Sequence, residues 1–141
     1  MSLRDLSWNG CIRIAVVVLS LMLLVICVLC LGFPLIDLAV STRAMEPVAE
    51  RLGTEPNITA INSQVDKILI AHLGASRDEV HAVLAEIGEF TYIEYSGRRG
   101  EAFRENASWT FAKTPWWEYW GGWTLIYDSD ERLIDVMRID V

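Results

Sequence analysis

The chain has 141 residues, 52% of them hydrophobic, with 12 Lys and Arg against 19 Asp and Glu. From Thr42 onward the balance is 10 basic against 17 acidic residues, so the whole net charge of -7 falls in the C-terminal part. That excludes nucleic acid as the partner and argues against a basic grip on anionic lipid, since both demand a positive face.

Residues Ile14 to Leu31 carry one hydroxyl and no charge. As a helix this run spans roughly 27 Å, close to the hydrocarbon thickness of a bilayer, and Gly32 to Ile36 extend it. It is too long for a cleavable signal, and the nearest small-x-small site, Ala39-Val40-Ser41, is poor. No cysteine follows the small residues that lipid modification requires. A permanent transmembrane helix over 13–36 is therefore expected, after a short tail over 1–12.

Arg4 and Arg13 precede the run and Arg43 and Arg51 follow it. Arg13 abuts the apolar stretch and can snorkel to the surface, which points to a cytoplasmic N-terminus. The expected address is the cytoplasmic membrane, with a single pass and an extracytoplasmic C-terminal domain. Cys11, Cys27 and Cys30 all lie at or inside the run, so the rest of the chain has no disulfide framework. Cys27 and Cys30 have the spacing of a redox or metal pair, but in lipid they read as small hydrophobes.

Residues 37–59 read as a connector holding Pro47, Gly53 and Pro56. Met45, Val48 and Leu52 fit either a short amphipathic helix or a solvated linker. A small domain is expected over 60–141. Val65, Ile68, Leu69 and His72 predict a first helix over Ser63 to Leu73, with Ser63 and Asp66 as a cap pair and Gly74 as the stop. Ser76-Arg77-Asp78-Glu79 is a capping box for a second helix that ends at Gly88. Val80, Val83, Leu84 and Ile87 form its apolar stripe.

Strand signals follow over Phe90 to Tyr95, Ser108 to Ala112, Trp123 to Tyr127 and Leu133 to Ile139. The turn Asp128-Ser129-Asp130-Glu131 predicts that the last two form a hairpin. The fold class is α+β: one transmembrane helix, then two helices packed on an antiparallel sheet of three to four strands.

Leu73-Gly74-Ala75-Ser76-Arg77-Asp78-Glu79-Val80, with Leu84 and Gly88, then Trp123-Thr124-Leu125-Ile126-Tyr127-Asp128 and Leu133, carry a family likeness. Over about residues 61–141 the chain resembles the small BamE (SmpA/OmlA) lipoprotein domain of the outer-membrane β-barrel assembly machinery. The resemblance implies a non-catalytic helper that binds other proteins near a membrane. Two features depart from the family: there is no lipidation motif, and an apolar span stands in place of a lipid anchor.

Five of the six tryptophans fall between Trp109 and Trp123. A domain this small cannot bury every ring, and exposed aromatic patches mark contact surfaces. Trp116, Trp117, Tyr119 and Trp120 are the expected partner-binding residues. Partner protein, membrane interface, ligand stacking, and a plain core with Gly121-Gly122 as a turn are the readings these rings leave open.

Other chemistry is thin. His72 and His81 fall on different helices, and Ser76 is already a cap. Asp128-Ser129-Asp130 opens like a calcium loop, but Arg132 and Leu133 stand where a further ligand and Gly belong. Glu86, Glu89 and Glu94 read as solvated faces, and Arg98-Arg99 as a solvated loop pair. Asn57-Ile58-Thr59 and Asn106-Ala107-Ser108 are glycosylation acceptors only in a secretory setting. No nucleophile with its base and no metal set is visible, so neither enzyme activity, cofactor nor metal is expected. The function expected is that of a single-pass accessory subunit or assembly factor of a larger membrane complex. The alternative is a membrane-anchored sensor whose rings line a ligand pocket.

Overall fold

The computed structural model describes residues 3–97 and 103–139, with side chains from Gly10 onward. It contains helix α1 (Leu3–Leu52), helices α2 (Ile58–Ala71) and α3 (Arg77–Ile87), and strands β1 (Thr91–Ser96), β2 (Phe103–Lys113), β3 (Glu118–Tyr127) and β4 (Leu133–Arg138). The chain divides into two compact units, Met1–Ala39 and Val40–Val141. The fold is α+β, with a four-stranded antiparallel sheet in the order β1-β2-β3-β4.

The first unit is helix. Every large apolar side chain from Ile12 to Leu38 is exposed, so nothing in this unit covers the apolar run. The helix is long and apolar enough to cross a membrane.

In the second unit Met45, Val48 and Leu52 lie on a helix and not in a solvated linker. Residues 40–52 continue α1, and Met45, Val48 and Ala49 are buried in the domain core. Met45, Val48, Ala49 and Leu52 recur at helical spacing among good helix formers, which makes one apolar stripe despite Pro47. The end is a Schellman motif. Gly53, at φ +63°, donates to Glu50 O, and Thr54 donates to Ala49 O. Arg51 then ties the helix to the end of α3 through a 2.7 Å bond from Nη1 to Ile87 O.

Helix α2 starts five residues before the expected Ser63, because Asn57 is the N-cap. Its side chain accepts from Ala60 N at 2.8 Å. The Ser63–Asp66 pair therefore lies inside the helix, and Asp66 serves a tertiary bond instead. Helix α3 matches its expected ends. Ser76 and Glu79 form both halves of a capping box, and the Ser76 backbone and hydroxyl hold the Glu79 carboxyl below the usual range. Val80, Leu84 and Ile87 are the buried stripe.

The central strands run longer than expected. Strand β2 begins at Phe103 and not Ser108, and β3 begins at Glu118 and not Trp123. Inward positions on β2 alternate through Glu105, Ala107 and Trp109, and a bulge between Thr110 and Ala112 then buries both Phe111 and Ala112. Gly121 and Gly122 are therefore mid-strand residues and not a turn. Neighbouring rings explain the lack of side chains. A Cβ on Gly121 would collide with the Trp123 ring and sit 2.5 Å from Asn62 Oδ1, while one on Gly122 would meet the Trp120 ring at 2.9 Å. Gly88 is likewise overlain by Trp109, whose Cε2 would lie 2.6 Å from an added Cβ.

Trp123 is fully buried at the centre of the sheet, and its indole N–H donates to Asp66 Oδ1 at 2.6 Å. The other oxygen of Asp66 accepts from Arg138 at 3.3 Å. Gly121→Ala forces this ring and α2 apart, so stability should fall by about 1–3 kcal/mol. A thermal melt of the full chain in detergent, followed by tryptophan fluorescence, checks this. An unchanged midpoint would contradict the packing described.

Candidate interaction site

The β2–β3 hairpin reaches beyond both of its neighbours. Strand β1 pairs with β2 only as far as Ser108, and the β3–β4 pairing starts at Trp123. The arm beyond them closes through Pro115 and Trp116. Thr114 N donates to Trp117 O at 2.8 Å, and Thr114 Oγ1 accepts from Trp117 N at 3.0 Å. Lys113 and Glu118 pair just behind this turn. Thr114 is buried, so the turn is fixed from beneath.

The tryptophans divide into two groups. Trp109 and Trp123 are 5% and 0% exposed, and Phe111 and Tyr127 join them inside. Trp116, Trp117 and Trp120 are 43%, 59% and 38% exposed. Tyr119 packs against the core, as the strand alternation requires one residue from Trp120. The four residues expected to bind a partner thus lie together at the arm, three open to solvent and one supporting them from inside. Trp116 belongs to the turn and not to a strand.

Trp120 also borders a cleft of about 360 Å³, lined further by Ile58, Thr59, Asn62, Glu118, Arg138 and Ile139.

A second cluster was not anticipated. Glu105 has no exposed surface, yet it is a carboxylate on the inward face of β2. Its Oε1 accepts from Arg77 Nη2 at 2.5 Å, and its Oε2 lies 2.6 Å from His81 Nε2. Arg77 also reaches Glu94 at 3.0 Å and covers the Phe103 ring. The hydrogen bond to Glu105 is the main reason the Arg77 guanidinium is held above its ordinary value, against the opposing effect of burial. Tyr92 stacks on His81 with ring centroids 4.0 Å apart. Half of the signal lay in the sequence, since Arg77 and His81 are four apart on one helix face; the inward slot of Glu105 appears only with the longer β2. Glu94, read as a solvated acid, is exposed and also pairs with Arg77.

The remaining candidates have structural tasks. His72 Nδ1 lies 2.7 Å from Ile68 O. Asp128 Oδ1 accepts from Asp130 N and Arg132 N, which makes the Asp-Ser-Asp run a turn. Asn57 is the α2 cap, and Asn106 sits in β2 with its side chain accepting from Thr124. Arg98 and Arg99 lie outside the described residues. Among the described residues no group of three His, Cys, Asp or Glu is placed to hold a metal.

No known family matches. Nor does any curated protein or solved structure.

Removing one member of the buried ion cluster leaves the others desolvated without compensation. Glu105→Ala should cost about 2–4 kcal/mol, below the largest buried-pair losses because Arg77 and His81 keep some solvent contact; urea unfolding in detergent measures it. Alkaline titration tests the same neighbourhood. Burial pushes the Tyr92 phenol up to about 12, with the negative charge of Glu105 adding to the effect. The folded chain therefore holds this proton where the unfolded chain has released it. Stability is intact below pH 10, the ordinary tyrosine value, and is lost as pH rises through about 12. In a Tyr95→Phe, Tyr119→Phe variant, which leaves only Tyr92 and Tyr127, tyrosinate absorbance should lag until unfolding, and an early, fully reversible rise would contradict this.

Proposed function

We propose that the chain is a non-enzymatic, single-pass membrane protein that serves as an accessory subunit or assembly factor of a larger membrane complex. Its N-terminus is cytoplasmic, α1 spans the cytoplasmic membrane up to about Ile36, and the C-terminal unit is extracytoplasmic. The arm of the β2–β3 hairpin docks on a partner subunit. The observation that carries this reading is the division of the tryptophans: two are used in the core, while Trp116, Trp117 and Trp120 are held open at a turn fixed by Thr114. Indole side chains dominate interface hot spots, and rigid presentation lowers the ordering cost of docking. The resemblance to BamE-type domains supports a helper role of the same kind. Anchoring supports it too, since partners confined to one bilayer meet at high effective concentration.

A second reading has one observation in its favour. Trp120, Glu118, Arg138 and Asn62 border a cleft, which suits a sensor domain that stacks a small polar ligand on an indole.

Changing Trp116, Trp117 and Trp120 together to Ser should release the chain from its complex after mild detergent extraction. At about 2 kcal/mol for each buried hot-spot ring, retention should fall well over ten-fold. Blue-native electrophoresis of native membranes reads this, with buried-tryptophan emission reporting that the fold is intact. Unaltered migration of the triple variant would sink the docking role. A saturable fluorescence change that depends on Trp120 alone would favour the sensor. Resistance of the chain to alkaline carbonate, with protease protection of the C-terminal unit in sealed vesicles, tests anchor and orientation.

A further inference from the structure

The two edges of the sheet are treated differently. On β4 the outer edge is engaged at its start: Gly74 N donates to Leu133 O at 2.8 Å, Leu133 N donates to Ala75 O at 2.9 Å, and Ser76 bridges to Arg132. On β1 the outer edge makes no backbone hydrogen bond among the described residues. Of the devices that blunt an edge, β1 carries one, the inward-turned charge of Glu94, and Arg77 neutralises it at 3.0 Å. Its sequence Thr91-Tyr92-Ile93-Glu94-Tyr95-Ser96 has no Pro and no Lys, and its register against β2 runs without a bulge from Thr91↔Ser108 to Ser96↔Phe103. Ile93 and Tyr95 are 52% and 49% exposed on the face away from the helices. Tyr92 and Glu94 turn the other way, toward His81 and Arg77.

We propose that this edge pairs with the same edge of a second copy of the chain, in an antiparallel register with Ile93 opposite Ile93 across a two-fold axis. The pattern of the strand selects both the occupant and the register. A two-fold axis normal to the sheet keeps each face on its own side, so outward residues meet outward residues. With Ile93 on the axis, Thr91 faces the second copy's Tyr95, a β-branched residue against an aromatic one, on both sides. On the inner face Tyr92 meets the second copy's Glu94, a phenol donor against a carboxylate. Moving the axis one residue, onto Glu94, would set two carboxylates directly opposite each other, which is destabilising. The product is a continuous eight-stranded sheet, and it leaves the β2–β3 arms uncovered.

The test uses the full chain in lipid nanodiscs, with Cys11, Cys27 and Cys30 changed to Ser. In the proposed register two Ile93→Cys chains bring their Cα atoms to about 4.5–5.5 Å, within disulfide reach. Oxidation should convert most of the chain to a covalent dimer. Thr91→Cys should not link to itself, since the two copies sit roughly 14 Å apart along the strand, but should link when mixed with Tyr95→Cys. Ile93→Lys places like charges on the axis and should abolish the dimer in analytical ultracentrifugation, while the emission of buried Trp109 and Trp123 is unchanged. A monomeric wild-type chain, an Ile93→Lys variant that still dimerises, or Thr91→Cys linking to itself as well as Ile93→Cys does would each overturn the proposal.

Discussion

A carboxylate without solvent, Glu105, fixes how α3 lies on the sheet. Burying an uncompensated charge is costly, so arrangements that bring Arg77 to it, with His81 on its other oxygen, are strongly favoured. Those two residues share one face of α3, whose start is set by the Ser76–Glu79 capping box. The helix is therefore pinned in rotation and in translation along β2. The same guanidinium reaches Glu94 on β1 and covers Phe103, which stacks on Tyr127 of β3. One ionic node thus spans a helix and two strands, and the Phe103–Tyr127 ring pair carries it to a third. An apolar replacement of the whole cluster would hold the layers together about as well, but would specify their registration less sharply.

Tryptophan volume is the second constraint. Trp123 and Trp109 occupy so much of the interior that the backbone beside them must be bare: Gly121 lies against Trp123, and Gly88 against Trp109. Trp120, one residue from Gly121, is directed to the opposite face by strand alternation and lies over Gly122. The turn through Pro115 then carries Trp116 and Trp117 beyond any neighbouring strand. Core demand and surface display are therefore consequences of a single strand pattern, read from Thr114 to Trp123.

Features written in adjacent residues were legible in the sequence. The capping box, the Gly88 stop and the Asp128 turn that joins β3 to β4 all depend on interactions within about five positions. The longer reach of β2 and β3 was not legible, because Phe103 to Ala107 mix Arg, Glu and Asn with apolar residues, and the two glycines read as punctuation. Only the ring positions across the sheet show why Gly121 and Gly122 belong in a strand. Met45, Val48 and Leu52 were ambiguous for a similar reason. An amphipathic stripe reveals that something covers it, but not whether lipid surface or domain core does so, and here it is the core. Glu105 was hidden in the same way, since its partners lie 24 and 28 residues away. The four-aromatic set was drawn from ring density alone; density locates the arm, while alternation, visible only once β3 was known to start at Glu118, separates Tyr119 from Trp120.

The two surfaces proposed here have a geometric relation that follows from strand direction. Strand β1 flanks β2 from Phe103 to Ser108, and the turn at Pro115 lies roughly 20 Å further along the strand. Antiparallel pairing of β1 with its copy reverses the second sheet. The two aromatic arms then project from opposite ends of the eight-stranded sheet and cannot close on one site. Each arm would hold its own partner, so pairing at the edge would convert a one-to-one docking protein into a bridge between two. On that relation an edge carrying Ile93 and Tyr95 would coexist with an exposed indole arm on so small a domain: the first would join like to like, and the second would be left for a different surface.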